Sequence, residues 1–259
     1  MKLHRQVAIV TGGGTGVGRE TSLQLAREGC AVLVNYSRSA QEAAQTVETI
    51  LQAGGQAQAY EADVADDVQV HAMVDTATDQ FGRLDILVNN AGTTEFIPFR
   101  KLEDANAEVW ERIFRVNVIG AFQMARAAAR AIEGTSGKGH IINVTSIAGI
   151  NATGSSIPYA ASKAALNNVT VSLARTLAPK IRVNAVAPGF ITGRWLQNGL
   201  GENYDTFKDA FNAKLPLGRV CEPSDVADAI LSLLTGSELV TGQILPCDSG
   251  MSAMAQVTI

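Results

Sequence analysis

The most constraining feature of this chain is a regular alternation between short apolar, β-branched runs and longer segments with helical periodicity. Such alternation is typical of βαβ units, in which successive strands lie parallel in one sheet and helices cover both of its faces. The runs are continuously apolar, as strands buried on both faces should be. The sequence therefore predicts an α/β fold with a doubly wound parallel sheet of about seven strands.

The predicted elements follow one another along the whole chain, and no Pro- or Ser-rich linker interrupts them. Strands are predicted at 7–11, 31–35, 57–61, 85–88, 140–145, 181–187 and 243–245. Helices are predicted at 16–28, 40–53, 66–81, 104–132, 157–178 and 223–234, with an irregular stretch after the sixth strand. We therefore expect a single domain over residues 1–259. In such sheets ligands lie beyond the carboxyl ends of the strands, so chemically active residues should follow strands.

Charge and composition disfavour several classes of function. A net charge of −4 over 259 residues argues against nucleic acid and anionic membrane as partners. The three cysteines (Cys30, Cys221 and Cys247) are widely spaced and the three histidines do not cluster, so neither a disulfide framework nor a metal site is expected. The first apolar run, 7–10, is too short for a signal segment or a membrane span. We expect a cytoplasmic protein that binds no metal.

A glycine-rich segment, TGGGTGVG at 11–18, follows the first predicted strand and opens a helix. Glycine lets the backbone approach a pyrophosphate closely, and a helix N-terminus offers free N–H groups and a favourable dipole to phosphate. A glycine-rich turn without a ligand is the simpler alternative, but the position after the first strand favours a Rossmann-like dinucleotide site. The segment lacks the Gly-Lys-Ser/Thr of a P-loop, which disfavours nucleoside triphosphate hydrolysis. The expected cofactor contacts here are Gly12, Thr15, Gly16, Val17 and Gly18.

The end of the second strand bears on the choice between NAD and NADP. An acidic residue there would bind the ribose 2′-hydroxyl of NAD and repel a 2′-phosphate. This chain reads NYSRS at 35–39, with no acid, and Arg38 with its neighbouring serines suits a phosphate. We therefore expect NADP(H), with NAD less favoured and with contacts from Tyr36, Ser37 and Arg38. A surface turn with a solvated arginine is the alternative.

Tyr159 and Lys163 lie one helical turn apart near the start of a predicted helix, with Pro158 in its first turn and Ser155 or Ser156 as its cap. Tyrosine, with an ordinary pKa of about 10, is a poor acid or base at neutral pH, and a nearby ammonium lowers that pKa. Alone, the pair would more often be a tyrosine packed on a lysine stem.

The position of Ser146 relative to Tyr159 changes this interpretation. Ser146 follows the fifth strand, where a ligand should lie, and stands thirteen residues before Tyr159. Its hydroxyl could hold a substrate oxygen that Tyr159 protonates. The arrangement favours an oxidoreductase that reduces a carbonyl or oxidises an alcohol.

Taken together, these segments resemble the short-chain dehydrogenase/reductase family along essentially the full length of the chain. The matching pieces, in chain order, are TGGGTGVG at 11–18, NNAG at 89–92, Asn117, Ser146, Tyr159 with Lys163, and Pro188-Gly189. Motifs that occur in this order and at suitable intervals are highly specific together.

The resemblance implies a role for each of four catalytic residues. Tyr159 would be the general acid in reduction and the base in oxidation, and Ser146 would orient and polarise the carbonyl. Lys163 would bind the nicotinamide ribose hydroxyls and lower the pKa of Tyr159. Asn117 would hold a water that links Lys163 to solvent.

The resemblance also implies further cofactor contacts and an assembly. Asp63 and Val64 would contact the adenine, and the segments after the fourth and sixth strands would support the cofactor and meet its nicotinamide amide. These further contacts are Asn90, Ala91, Gly92, Pro188, Gly189, Ile191 and Thr192. The family is usually tetrameric, so a homo-oligomer, tetramer or dimer, is expected.

Two departures from the family pattern concern the cofactor. Gly193 stands where the family often has a threonine after the sixth strand, and Thr192 is the candidate substitute. Thr15 stands where many NADP-preferring members carry a basic residue, so the expectation of NADP rests on Arg38 and its serines.

The stretch at about 190–216 would form a lid over the substrate, and its aromatic and leucine side chains favour a hydrophobic or acyl substrate. Alternatively, Phe207 and Phe211 simply pack a helix against the body. The chain is most similar to 3-oxoacyl-[acyl-carrier-protein] reductases at 34–38 and 248–251, while 93–98 departs from them.

Three other functions compete with that of a ketone reductase. An NAD-dependent alcohol or sugar dehydrogenase of the same family and a non-catalytic dinucleotide sensor both remain open. A sugar epimerase or dehydratase is disfavoured because the chain has no separate substrate domain.

Overall fold

Seven strands form one parallel sheet in the computed structural model, which describes residues 3–254. They are β1 Val7–Val10, β2 Ala31–Tyr36, β3 Gln56–Glu61, β4 Ile86–Asn89, β5 Gly139–Val144, β6 Ile181–Pro188 and β7 Ile244–Cys247. Their spatial order is β3-β2-β1-β4-β5-β6-β7, and every neighbouring pair is parallel. The predicted doubly wound α/β fold is confirmed.

Ten α-helices occur within the same described residues. They are α1 Gly16–Arg27, α2 Ala40–Gln52, α3 Asp67–Phe81, α4 Ala107–Phe114, α5 Ala121–Thr135, α6 Ala148–Asn151, α7 Ile157–Leu177, α8 Arg194–Leu200, α9 Tyr204–Lys214 and α10 Pro223–Thr235. One core cluster joins the sheet to α3, α5 and α7, and a second joins its other face to α1, α2 and α10. Strand neighbours such as Ile9 and Val10 alternate between the two clusters, which is why the strands read as continuously apolar.

Strands β1 to β3 are added to the sheet in one direction and β4 to β7 in the other, so the strand order reverses between β1 and β4. In open α/β sheets the ligand crevice lies at such a switch point, outside the carboxyl ends of the strands. The segments that follow β1, β4, β5 and β6 therefore meet at one edge. These segments carry the glycine loop, Asn89–Gly92, Ser146 and Pro188–Thr192.

The long helical stretch predicted around 104–132 occurs at 107–135, but it is not one uniform α-helix. A 3₁₀ turn, Leu102–Asp104, precedes α4, and a π-helical segment, Arg115–Gly120, separates α4 from α5. A Cβ on Gly120 would lie 2.8 Å from Val64 Cγ2, so the backbone of the helical stretch packs directly against Val64 in the loop after β3. Helical periodicity in the sequence does not distinguish an α from a π turn.

The stretch after the sixth strand, which was predicted to be irregular, is largely helical. It holds α8 and α9, joined by a 3₁₀ turn at Gly201–Asn203. The short helix α6 was not predicted either. Smaller differences of one to three residues occur at other element ends. Asp66, for example, caps α3 from outside by accepting from Val68 N at 2.9 Å.

No helix within residues 3–254 has both the length and the apolar character to cross a bilayer. In the same range no three His, Cys, Asp or Glu side chains come together as a metal-binding group. Cys30, Cys221 and Cys247 are all free thiols.

Candidate active site

The glycine loop turns the chain sharply from β1 into α1. Gly12 and Gly16 have φ angles of +61° and +51°, a region that side chains other than glycine rarely adopt. A Cβ on Gly18 would lie only 2.1 Å from the carbonyl oxygen of Gly12, so the helix starts in direct contact with the loop. The first N–H groups of α1, from Gly16 onward, have no partner within the helix. This end of α1 therefore fits a phosphate group.

Asn90 locks this loop to the end of β4. Its side-chain amide donates to Thr11 O at 2.9 Å and to Gly12 O at 3.1 Å. The Thr11 hydroxyl in turn accepts from the backbone N–H groups of Asn90, at 2.9 Å, and Ala91, at 3.0 Å. Asn90 and Ala91 thus support the glycine loop, while their predicted contact with the cofactor stays a prediction.

Asn35 is a second residue that holds the loop, and the sequence analysis missed it. Its amide is 2% exposed, accepts from Gly12 N at 3.3 Å and donates to Ala62 O at 3.0 Å. It joins β2, the glycine loop and the end of β3. A buried polar residue at the end of an apolar strand was the available signal, but it was interpreted only as the absence of an acid.

The predicted 2′-phosphate contacts lie at the end of β2. Ser37 and Arg38 are exposed, and Tyr36 is half-buried. Arg38 forms no hydrogen bond or ion pair with any other residue between 3 and 254, so its guanidinium is available to an anion. Thr15, which caps α1, makes no side-chain capping bond, and its hydroxyl is available as well.

The predicted adenine contacts follow β3. Asp63 is exposed, and its carboxylate accepts from Ala65 N at 2.9 Å. Val64 is 5% exposed and packs on Gly120 of the π-helical segment. Asp63 thus lies open to solvent while Val64 belongs to the core, and their contact with adenine stays a prediction.

Ser146 and Tyr159 meet at the carboxyl edge of β5. Ser156 caps α7 by accepting from Tyr159 N at 3.4 Å, while Ser155 bonds elsewhere, so the cap is the second of the two predicted serines. The Ser146 side chain lies close enough to the Tyr159 hydroxyl to lower the pKa of Tyr159 by hydrogen bonding. It also accepts from Ala148 N at 3.1 Å, which fixes its direction. The two hydroxyls predicted to share a substrate oxygen are thus side by side.

The pKa of Tyr159 lies above its ordinary value. Burial raises the pKa of Tyr159 to about 12, and only the hydrogen bond from Ser146 acts in the opposite direction. Lys163 Nζ lies 5.8 Å from the centre of the Tyr159 ring, and burial lowers the pKa of Lys163 to about 8. Desolvation opposes the charged form of both groups. The lowering of the Tyr159 pKa predicted for Lys163, with an oxidised nicotinamide adding to its field, stays a prediction.

Lys163 is a buried ammonium with spare donors. It is 4% exposed, and within residues 3–254 its only hydrogen bond goes to Val144 O at 2.9 Å. An ammonium has three donors, so two are left without a partner, which is costly in a buried site. A Cβ on Gly92 would lie 3.7 Å from Nζ, and glycine leaves that space open. Lys163 therefore fits the vicinal hydroxyls of a ribose, as the cofactor would supply.

Asn117 lies in the π-helical segment and is 1% exposed. Its amide oxygen accepts from Thr93 N at 2.8 Å, and its amide nitrogen donates to Thr93 O at 3.0 Å and Ser162 Oγ at 3.0 Å. The side chain thus ties the loop after β4 to α7. The amide oxygen would also lie 3.4 Å from a Cβ on Gly92, on the side where Lys163 lies. The water relay predicted for Asn117 stays a prediction.

The segment after β6 is held close to Ser146. Pro188 O accepts from Ile147 N at 3.0 Å and from Ser146 Oγ at 3.4 Å. A Cβ on Gly189 would lie 2.9 Å from Asp248 Cβ, so only glycine fits without a shift. Both residues therefore lie at the predicted nicotinamide end of the site.

Ile191 and Thr192 are bound to the segment before α10. Ile191 forms an isolated parallel bridge with Cys221, and Thr192 N donates to Cys221 O at 2.8 Å. The Thr192 hydroxyl donates to the carboxylate of Glu222, the residue that caps α10. The hydroxyl is thus engaged within the protein, and its contact with a nicotinamide amide stays a prediction.

Helix α8, in the stretch predicted to form a lid, places the aromatic ring of Trp195 against Tyr159. The rings of Trp195 and Tyr159 are 6.3 Å apart and tilted by 55°. Phe211 packs on Phe190 at 5.2 Å, as the packing alternative held, whereas Phe207 is 46% exposed. The stretch at about 190–216 therefore packs on the body through Phe211 and contacts Tyr159 through Trp195.

An ion pair joins the lid to α2 and was missed from the sequence. Arg194 Nη1 lies 2.6 Å from Glu42 Oε1, and this contact holds the pKa of Glu42 below its ordinary value. The two residues are 152 positions apart, so no local pattern could pair them. The pair also neutralises a carboxylate one helical turn beyond Arg38.

Comparisons with known proteins agree with this geometry. A family model described as enoyl-(acyl carrier protein) reductase matches residues 12–252. A Streptomyces violaceoruber protein, named provisionally as ketoacyl reductase 2 of the granaticin polyketide synthase, is 41% identical over 244 residues, which are 94% of this chain and 95% of that protein. The 3-oxoacyl-[acyl-carrier-protein] reductase of a Synechocystis strain is 37% identical over 254 residues, covering 96% of this chain and 98% of its own. The structure of an NAD⁺-bound xylitol dehydrogenase superposes with a TM-score of 0.87 at 29% identity, covering 96% of this chain and 100% of its own.

Proposed function

The chain belongs to the short-chain dehydrogenase/reductase family and is an oxidoreductase of that type, which is the premise of what we propose here. We propose that it uses NADPH to reduce the keto group of a 3-oxoacyl or other hydrophobic substrate. The reverse reaction is the oxidation of the corresponding alcohol. The observation that carries the proposal is that Ser146, Tyr159 and Lys163 lie together at the carboxyl edge of the sheet, where the glycine loop also begins. Lys163 is buried there with two unpartnered donors.

Two hydroxyl groups would act on the substrate oxygen. When bound, the reduced nicotinamide supplies a hydride to the carbonyl carbon. The Tyr159 hydroxyl gives its proton to the carbonyl oxygen, and the Ser146 hydroxyl donates a hydrogen bond that holds this oxygen in place. The C=O bond thus becomes a CH–OH group, with one proton taken from Tyr159 Oη.

Lys163 would serve both the cofactor and the tyrosine. Its two free donors bind the ribose hydroxyls, and its positive charge stabilises the phenolate that remains once Tyr159 has given up its proton. The high pKa of Tyr159 in this structure keeps the hydroxyl protonated, which suits the reductive direction. The proton is then replaced through Lys163 and a water held near Asn117.

The preference for NADPH is supported by the end of β2. No carboxylate follows β2 directly, Arg38 is exposed and unpaired within residues 3–254, and the nearest acid on α2, Glu42, is neutralised by Arg194. An NAD-dependent alcohol or sugar dehydrogenase is the second candidate, and the likeness to the NAD⁺-bound xylitol dehydrogenase favours it.

The assembly and location are part of the same proposal. We propose one domain with a lid at about 190–216, a homo-oligomer of two or four chains, and a cytoplasmic location. Light scattering of the purified protein measures the assembly, and a monomer at micromolar concentration would contradict it.

The test of the proposed function is a substrate panel assayed by NADPH and NADH oxidation. The panel contains a 3-oxoacyl thioester, a bicyclic hydrophobic ketone and a ketose, with the matching alcohols and oxidised cofactors for the reverse reaction. We expect ketone-dependent NADPH oxidation with the first two. Turnover confined to the ketose and NADH would favour the second candidate, and cofactor binding without turnover of any compound would favour a sensor.

Arg38→Asp should weaken NADPH binding much more than NADH binding. Loss of a charge-assisted hydrogen bond, at about 1.5–3 kcal/mol, corresponds to a rise in the Kd of NADPH of roughly 10- to 100-fold. The added carboxylate can accept from the ribose 2′-hydroxyl, so NADH affinity should be equal or higher. Fluorescence titration measures both constants.

The control for Arg38→Asp is Arg27→Asp, which makes the same charge change at the far end of α1. It should leave the ratio of the two affinities unchanged. Unaltered NADPH affinity in Arg38→Asp would remove Arg38 from the cofactor site.

A further inference from the structure

We infer that Trp195, with Phe96 opposite it, makes the substrate site selective for flat aromatic ketones that carry oxygen substituents, over saturated ketones of the same shape. This inference rests on the proposed ketone reductase function and specifies the substrate class of the same site. It depends on three observations: the Trp195–Tyr159 contact, the Phe96–Gly199 contact, and the polar groups of the cavity between them.

Trp195 borders the reacting group directly. Its ring lies 6.3 Å from the Tyr159 ring, within the range of about 4.5–7 Å at which aromatic rings interact favourably. The side of Trp195 turned away from this contact is open, since the residue is 46% exposed. A carbonyl held at Tyr159 would therefore place the adjoining part of its molecule beside the indole ring.

Phe96 forms the facing wall and depends on a glycine in the lid. A Cβ on Gly199 would lie 2.0 Å from Phe96 Cζ, so the backbone of α8 rests on the phenyl ring. Sequence patterns could not pair these residues, because they come from the loop after β4 and from the lid. Phe96 and Trp195 both line the same cavity.

The cavity beside these rings has a volume of about 280 Å³, near the lower end of the roughly 300–1,000 Å³ usual for small-ligand sites. It is lined by Thr93, Thr94, Phe96, Trp195, Asn198 and Gly199. None of the six is charged. The cavity therefore suits a small, neutral and flat group.

Two polar groups in this cavity are free to bind a substrate. The Thr94 hydroxyl is occupied by Ser155 at 2.6 Å. The Thr93 hydroxyl and the Asn198 side-chain amide make no hydrogen bond within residues 3–254. Thr93 is half-buried and Asn198 exposed, so a hydrocarbon tail packed over them would displace their water without replacing its hydrogen bonds, whereas a ring with hydroxyl or carbonyl substituents would replace them. The indole and phenyl rings favour an aromatic ring in the same place, because edge-to-face and offset contacts between rings add to simple area burial.

The test compares 2-tetralone with trans-2-decalone, two bicyclic ketones of the same skeleton whose carbonyl groups are both unconjugated. With NADPH, we expect kcat/KM for 2-tetralone to exceed that for the decalone by about three- to tenfold, as aromatic contacts of this kind imply. Adding a 6-hydroxyl group to 2-tetralone should raise kcat/KM further, and Asn198→Ala should remove that gain.

Trp195→Leu should abolish the preference for the aromatic ketone, and Trp195→Phe should retain most of it. The matched control is Phe207→Leu, which removes a ring of equal exposure from the same lid that does not line the cavity. It should keep the wild-type ratio. An unchanged ratio in Trp195→Leu, or equal turnover of both ketones by the wild type, would overturn the inference.

A binding measurement keeps the inference testable if the lid variants fold poorly. Trp110 is the other of the two tryptophans, so in Trp110→Phe protein the fluorescence reports Trp195. We expect 2-tetralol to quench this signal at lower concentration than trans-2-decalol, and equal quenching would count against the inference. If no ketone of either panel is reduced, the proposed function itself fails, which is a different result from reduction without preference.

Discussion

Replacing Tyr159 by phenylalanine should lower kcat/KM for ketone reduction by about 10²- to 10⁴-fold, the range usual for loss of a positioned general acid. Only the hydroxyl is removed, and with it the proton that the substrate oxygen needs. The ring that packs against Trp195 is kept, so the lid and the fold should be preserved. NADPH affinity should change little, because Lys163 and the glycine loop are untouched.

The measurement is ketone-dependent NADPH oxidation, with cofactor affinity determined in parallel by fluorescence. Tyr60→Phe is the matched control, since it removes a hydroxyl from β3, away from Ser146 and Lys163, and should keep wild-type turnover. If Tyr159→Phe retained the wild-type kcat/KM, another group would have to supply the proton and the mechanism would be wrong.

Gly18→Ala should abolish cofactor binding and destabilise the fold. The new methyl group would lie 2.1 Å from Gly12 O and 2.5 Å from Asn90 Nδ2, closer than real Cβ contacts allow. Neither neighbour can move freely, because Gly12 belongs to the loop backbone and Asn90 holds that loop through two hydrogen bonds. Overpacking of this kind costs about 1–3 kcal/mol of stability, and the loop must shift from its phosphate-binding position.

Urea unfolding measures the stability, and NADPH titration measures the binding. The control is Gly134→Ala in α5, where a Cβ would meet no atom within 4 Å. There alanine should stabilise the helix by up to about 1 kcal/mol, since it is the better helix former. Wild-type NADPH affinity in Gly18→Ala would show that this loop does not hold the phosphates.

The sequence alone predicted the positions of the main elements and the edge at which the site lies. This succeeded because a parallel sheet is built from local signals: apolar runs specify strands, glycine and capping residues end helices, and chain order then brings the ends of β1, β4, β5 and β6 together. Ser146, Tyr159 and Lys163 could be named as candidates for the same reason, since each follows a strand or opens a helix.

Features that depend on contacts between distant residues could not be predicted. In the π-helical segment, the Asn117 amide pairs with Thr93 and Gly120 packs on Val64, and both contacts join residues distant in sequence. The Arg194–Glu42 pair and the Phe96–Gly199 contact join segments that no sequence period connects.

For Tyr159 and Lys163, the sequence determined one property of the pair and the tertiary structure determined another. Their spacing determined that they share a face of α7, but it did not determine their protonation. The pKa of Tyr159 rises to about 12 and that of Lys163 falls to about 8 because the assembled protein removes water from both. The chain order specified which residues meet. Their charge states depend on desolvation, and desolvation depends on every element packed around a group, so only the tertiary structure decided them.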